Sequence, residues 1–304
     1  MPGTRTPARA LAVVAVAVLG LTLAPGVAQA GPASDAGAGT VAVGRAVAAS
    51  ATAARTTYRL TWSDSFGSRR AGAPPSRARW VPDVGGHGWG NQQLEYDSAD
   101  ARNAHVDGRG HLVLAAVRDG GRHTCWYGPC RWSSARLTTR GTFSQRYGRF
   151  AARMKVPCGA GLWPAFWALG TDVGTVGWPR SGEIDVMEVI GRDPSTVHGT
   201  VHGPGYSGGD GVTGRRTTSA PLCRAFHVYE ATWSSSRIDF ALDGRVYSSA
   251  TPASVAGRDW VFRHRFFLLL DLAVGGGWPG SPTSATRFPA RLVVDWVRAY
   301  AAVR

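Results

Sequence analysis

Phe150, Ala152, Met154 and Val156 alternate with Arg149, Arg153 and Lys155, and Leu292, Val294 and Trp296 alternate with Arg291 and Asp295. A period of two marks a strand with one face on a core and the other in water. No amphipathic helix of useful length stands out. Asp107-Gly108, Asp119-Gly120 and Asp243-Gly244 fall between such runs, and this dipeptide supplies the positive φ that tight hairpin turns need. The pattern predicts an all-β chain of short antiparallel strands folded as a two-sheet β-sandwich. Forty Gly and eighteen Pro agree with many turns.

One run breaks the alternation. Glu183, Asp185 and Glu188 lie among Ile184, Val186, Met187, Val189 and Ile190, and a charge withdrawn from water costs several kcal/mol unless it is paired, protonated or bound. On a helix at ~100° per residue, Asp185 would lie about 200° and Glu188 roughly 140° from Glu183, scattering the acids around the cylinder. On a strand, Glu183 and Asp185 share a face, but Glu188 has the wrong parity. A β-bulge near Met187, where two residues oppose one, restores it. The run therefore predicts a bulged strand with three carboxylates aimed into one cleft.

This Glu-x-Asp-x-x-Glu run follows Gly161-Leu162-Trp163-Pro164-Ala165-Phe166-Trp167 and precedes His202-Gly203-Pro204. Together they resemble the bacterial laminarinase branch of glycoside hydrolase family 16. The resemblance spans almost the whole mature chain, from Trp62-Ser63-Asp64-Ser65-Phe66 through Ser134-Ala135-Arg136-Leu137 and Tyr147-Gly148-Arg149-Phe150 to Leu272-Ala273-Val274-Gly275-Gly276 and Val294-Asp295-Trp296-Val297-Arg298. It implies a concanavalin-like jelly roll with the acids on the concave sheet. It also implies endo-hydrolysis of β-1,3-glucosidic bonds in laminarin-like glucans with retention of configuration. Glu183 would then be the nucleophile, Glu188 the acid/base and Asp185 their partner; the ~5–5.5 Å carboxyl separation of a retaining enzyme is within reach of two Glu that lean together.

Trp163, Trp167, Trp178 and Trp278 sit beside Pro and Gly in and around the cleft segments, and indole faces suit the apolar faces of sugar rings. The resemblance adds His202 and Asn91 as substrate-binding residues. It also points to a structural Ca²⁺ at Asp295, with the Gly110 carbonyl as a second ligand; Ca²⁺ takes six or more oxygens. Catalysis of this kind needs no cofactor. Related laminarinases usually carry Asn where this chain has Asp271. Rival readings are a mixed-linkage β-1,3-1,4-glucanase or a β-galactan hydrolase of the same family, and, from another class, a non-catalytic glucan-binding lectin. The lectin reading expects one or both Glu to be missing, and both are present.

Residues 1–30 read as a secretory signal. Arg5 and Arg9 precede an apolar run from Ala10 to Ala24, and Ala28-Gln29-Ala30 gives a small-x-small cleavage pattern. Residues 31–56 are rich in Ala, Gly, Ser and Thr without periodicity and read as a flexible leader, leaving 57–304 as one catalytic domain. The expected product is a secreted, extracellular monomer with no membrane contact after signal cleavage. The full chain's net charge of +14 is mostly dispersed Arg, and no nucleic-acid-binding motif accompanies it. Between Leu162 and Glu188 the only basic residue is Arg180, so the cleft segments suit a neutral polymer. Four cysteines in an exported chain predict two disulfides with three possible pairings. Cys125 and Cys130 bracket a tight segment and favour a local bridge, which leaves Cys158 for Cys223.

Overall fold

A computed structural model describes residues 56–303 apart from Ser68. The signal peptide and nearly all of the leader read from the sequence lie outside the described residues.

Two sheets form the sandwich. The larger has Ala290–Val303 at its centre, flanked by Gly148–Lys155 and Leu112–Arg118. The smaller runs in the order Val212–Thr217, Thr196–His202, Glu183–Val189, Leu162–Gly170, Phe266–Val274, Arg136–Thr138 and Val81–Pro82, with every pairing antiparallel. The described residues hold one four-residue α-helix, Val173–Val176, so the all-β expectation holds.

Period-two alternation explains the core. Phe150, Ala152 and Met154 from one sheet face Ile184, Leu268, Leu270 and Leu272 from the other in a single buried cluster. Full burial of one such side chain is worth about 1.5–3 kcal/mol, so the two inner faces hold the sheets together. Phe266–Val274 is buried on both faces, because a second cluster of Ala165, Trp167, Leu169, Phe267 and Leu269 covers the outer side of the smaller sheet beside the cleft.

Asp243 and Gly244 join Ile238–Leu242 to Arg245–Ala250 with φ of 50° and 72°, the two-residue hairpin that the dipeptide predicts. Both expected disulfides form, Cys125–Cys130 and Cys158–Cys223.

Candidate active site

The acids reach one face through the expected bulge. Against Thr196–His202, Asp185 pairs with Thr200 and Glu188 with His198, so Val186 and Met187 together oppose Gly199. Both extra side chains enter the core with Ile184 and Val189, and the parity change turns Glu188 outward with Glu183 and Asp185. Gly199 has no room for more than hydrogen: an added Cβ would lie 2.5 Å from the Phe240 ring. Against Leu162–Gly170, Glu183 pairs with Leu169 and Glu188 with Ala165, four residues apart on the neighbouring strand and on the same side of it.

Each Glu has its own indole donor. Trp178 Nε1 donates to Glu183 Oε2 at 2.8 Å, and Trp163 Nε1 donates to Glu188 Oε1 at 3.0 Å. His202 Nε2 stands 3.1 Å from Asp185 Oδ2 and 3.9 Å from Glu183 Oε1. One polar atom from each of Glu183, Asp185 and His202 lies within 4.8 Å of the others. Burial and then the charge of Asp185 push Glu183 up to about 8. Burial also pushes Asp185 up to about 7 and raises Glu188 well above the usual carboxylate range. Carboxylates this close do not all ionise near neutral pH. They hold protons in common.

A cleft of about 740 Å³ surrounds them. Asn91, Trp163, Trp167, Trp178, His202 and Trp278 all line it, so every binding residue read from the sequence is brought to the acids. Their roles differ. Trp178 and Trp278 are 50% and 39% exposed and present open ring faces, and Trp278 meets Trp163 edge-on at 5.4 Å. Trp167 is only 9% exposed. Its N–H goes to Asp271 at 2.6 Å and the Arg136 guanidinium covers its ring at 4.6 Å, so it forms cleft floor and not the open platform expected of it.

A profile of glycosyl hydrolases family 16 matches residues 91–298, more than half of the chain. The chain belongs to glycosyl hydrolase family 16. Within the family it lies with the bacterial laminarinases, and it is a glycoside hydrolase. It is 40% identical over 253 residues to a beta-glucanase of Rhodothermus marinus, covering 80% of this chain and 85% of that one. The endo-beta-1,3-glucanase of Pyrococcus furiosus superposes with a TM-score of 0.75 at 40% identity, over 81% of this chain and 95% of that one. The laminarinase catalytic domain of Thermotoga maritima gives 0.76 at 38% identity, over 81% and 99%.

In this family 16 hydrolase, the cleft also holds Arg136, which its local sequence does not announce, and Asp271, which stands where related laminarinases usually carry Asn. Arg136 lies between the rings of Trp89 and Trp167 and pairs with Asp83 at 3.2 Å, whereas Arg180 is not among the lining residues. Asp271, facing it in register, is pushed up to about 6 by burial. Behind them lie the buried carboxyls of Glu95 and Asp97, both raised chiefly by burial. Glu95 Oε2 accepts the Val274 N–H at 2.7 Å. No short motif marks this group, because its members come from three strands far apart in the chain, Glu95–Asp97, Arg136–Thr138 and Phe266–Val274.

The expected Ca²⁺ site fits less well. The turn with Gly110 leads into Leu112–Arg118, whose Leu112 pairs with Val294, so that turn precedes a strand neighbouring the one that carries Asp295. The Asp295 carboxylate, however, is bound by Arg153, itself stacked on Phe226 at 4.7 Å. A carboxylate already neutralised by a guanidinium is not the free anionic ligand that Ca²⁺ requires.

Proposed function

We propose that the protein is an exported endo-β-1,3-glucanase that acts on laminarin-like glucans with retention of configuration. The observation that carries this reading is the bulged strand, which sets Glu183, Asp185 and Glu188 on one face with an indole donor on each Glu.

In this account Glu183 attacks the anomeric carbon while Glu188 gives its proton to the departing glycosidic oxygen. The glycosyl ester on Glu183 is then hydrolysed by water that Glu188, now ionised, deprotonates. Attack requires an ionised Glu183. Burial holds Glu183 above Asp185 in the free site, so the proton the pair shares passes to Asp185 as Glu183 attacks, with His202 fixing the Asp185 carboxyl. Burial raises Glu188, so it enters the first step protonated. The two-carboxylate route needs no cofactor.

The lining supports a neutral polymer. Trp178 and Trp278 offer ring faces, and the one guanidinium in the cleft, Arg136, is enclosed by two indoles and paired with Asp83. It is not free to bind sulfate groups bidentately, as an Arg built for them would be. The relatives named as β-1,3-glucanases support the same linkage. We read the enzyme as a monomer acting outside the cell. Product analysis on laminarin, curdlan, lichenan and carrageenan tests the assignment. Laminarin should be cleaved fastest and carrageenan hardly at all; preference for lichenan or carrageenan at equal polymer mass would overturn it.

A further inference from the structure

The hairpin closed by the Cys125–Cys130 bridge carries the most exposed indole among the described residues, Trp126, at 53%. A free indole on a surface loop would sample many orientations and make a poor binding face. This one is fixed from several sides. Its Nε1 donates to Gln93 O at 2.8 Å, and its backbone N–H donates to Gly86 O at 2.8 Å. Tyr127 stands perpendicular to it at 5.4 Å and anchors the hairpin by donating its hydroxyl to Leu94 O at 2.5 Å. Gly88 permits the close approach. An added Cβ there would lie 2.9 Å from the Trp126 Nε1, and its φ of +80° also favours glycine.

The anchoring points join Trp126 to the cleft. Gln93, which accepts the indole N–H, is a lining residue. Glu188, Ala165, Asp271 and Arg136 stand in cross-strand register on four adjacent strands, which sets Arg136 roughly 14 Å from Glu188 at about 4.8 Å per strand. Arg136 packs under Trp89, Trp89 follows Gly88, and Gly88 touches Trp126. Trp126 thus extends the line of the cleft beyond Arg136, on the side away from the acids. With its polar edge already bonded, only its apolar face is left to a ligand.

Resting on the glucanase reading, we infer that Trp126 is an outlying sugar platform that takes a ring of a neutral β-glucan chain leaving the cleft past Asn91. Such a contact acts on long substrates and not on short ones that end before it. The test compares kcat and KM of the full enzyme and of Trp126→Ala on a β-1,3-glucan trisaccharide and on a long laminarin oligosaccharide. An aromatic contact of about 1 kcal/mol corresponds to roughly fivefold, so Trp126→Ala should raise KM for the long substrate about fivefold with kcat unchanged. Trisaccharide kinetics should stay as in wild type, and Trp126→Phe should recover part of the loss. Equal loss on both substrates would reduce the hairpin to a structural role, and an unchanged KM for the long substrate would also overturn the inference. Wild-type enzyme that cleaves neither substrate would instead overturn the glucanase reading, and the inference with it.

Discussion

Trp163 donates its indole N–H to Glu188 Oε1 across 3.0 Å, and it does so from Leu162–Gly170, the strand that pairs with the acids' own. A donor to the ionised carboxylate lowers its pKa and opposes the burial that raises it. Trp163→Phe keeps the ring and removes the donor. Glu188 should then hold its proton to higher pH, so the alkaline limb of the kcat/KM profile should move upward while the maximum falls about tenfold. A pH series on laminarin checks both; an unmoved alkaline limb would show that this bond does not set Glu188.

Asp271 offers the complementary experiment at the other limb. Burial chiefly raises Asp185, and the charge of Asp271 raises it further. Asp271→Asn removes that charge while leaving an oxygen for the Trp167 N–H. The Glu183 and Asp185 pair should then lose its proton at lower pH, and activity should persist further into acid. An acid limb that shifts upward would contradict the assigned coupling.

Removing each carboxylate should give different signatures. Glu183→Gln and Glu188→Gln should each cost at least about 1,000-fold on laminarin, in the range of losing an essential catalytic group. On an aryl glycoside whose leaving group needs no protonation, Glu188→Gln should recover much of its first step and Glu183→Gln none. Equal residual rates would remove the role assignment.

The fold was legible because alternation and turn dipeptides are local signals, as in Phe150 to Val156 and at Asp243-Gly244. The bulge was legible for a sharper reason. Three acids in an apolar run admit one geometry that spares all three from the core, and Val186 and Met187 take the two core positions this requires. Trp167 lines the cleft as read, but its own segment does not show Arg136 arriving over its ring from another strand. Glu95 and Asp97 escaped for the same reason, whereas Asp271 stood out only against the Asn that related laminarinases usually carry there. Glu95 and Asp97 are unremarkable in their own segment and become buried carboxyl groups only when the sheets close.

That buried group has a consequence for stability. Burial raises Glu95 from 4.5 to about 8, so between those values the folded chain binds a proton that the unfolded chain has lost. Stability is full below the lower value and declines as pH rises through the upper one. The melting temperature should be higher at pH 5.5 than at pH 8.5 by at least about 2–4 °C, the shift that 1 kcal/mol gives a domain of this size. Glu95→Gln should flatten this dependence; an unchanged slope in calorimetry would place its cause elsewhere.

Reduction should destabilise the protein unevenly. Cys158–Cys223 closes a separation of 65 residues and Cys125–Cys130 one of 5. In the chain-entropy account these are worth about 4 and about 2 kcal/mol. Paired Ser variants compared in denaturant melts should show the larger loss for the long loop, and the reverse order would refute the entropic account here.

The central claim is double displacement through Glu183, and the anomeric form of the first product tests it most directly. Hydrolysis of laminarin followed by proton NMR in the first minutes, before mutarotation, should show the new reducing ends appearing as the β-anomer and only later equilibrating with α. Initial release of the α-anomer would mean a single inverting displacement by water, and Glu183 could not then be the nucleophile.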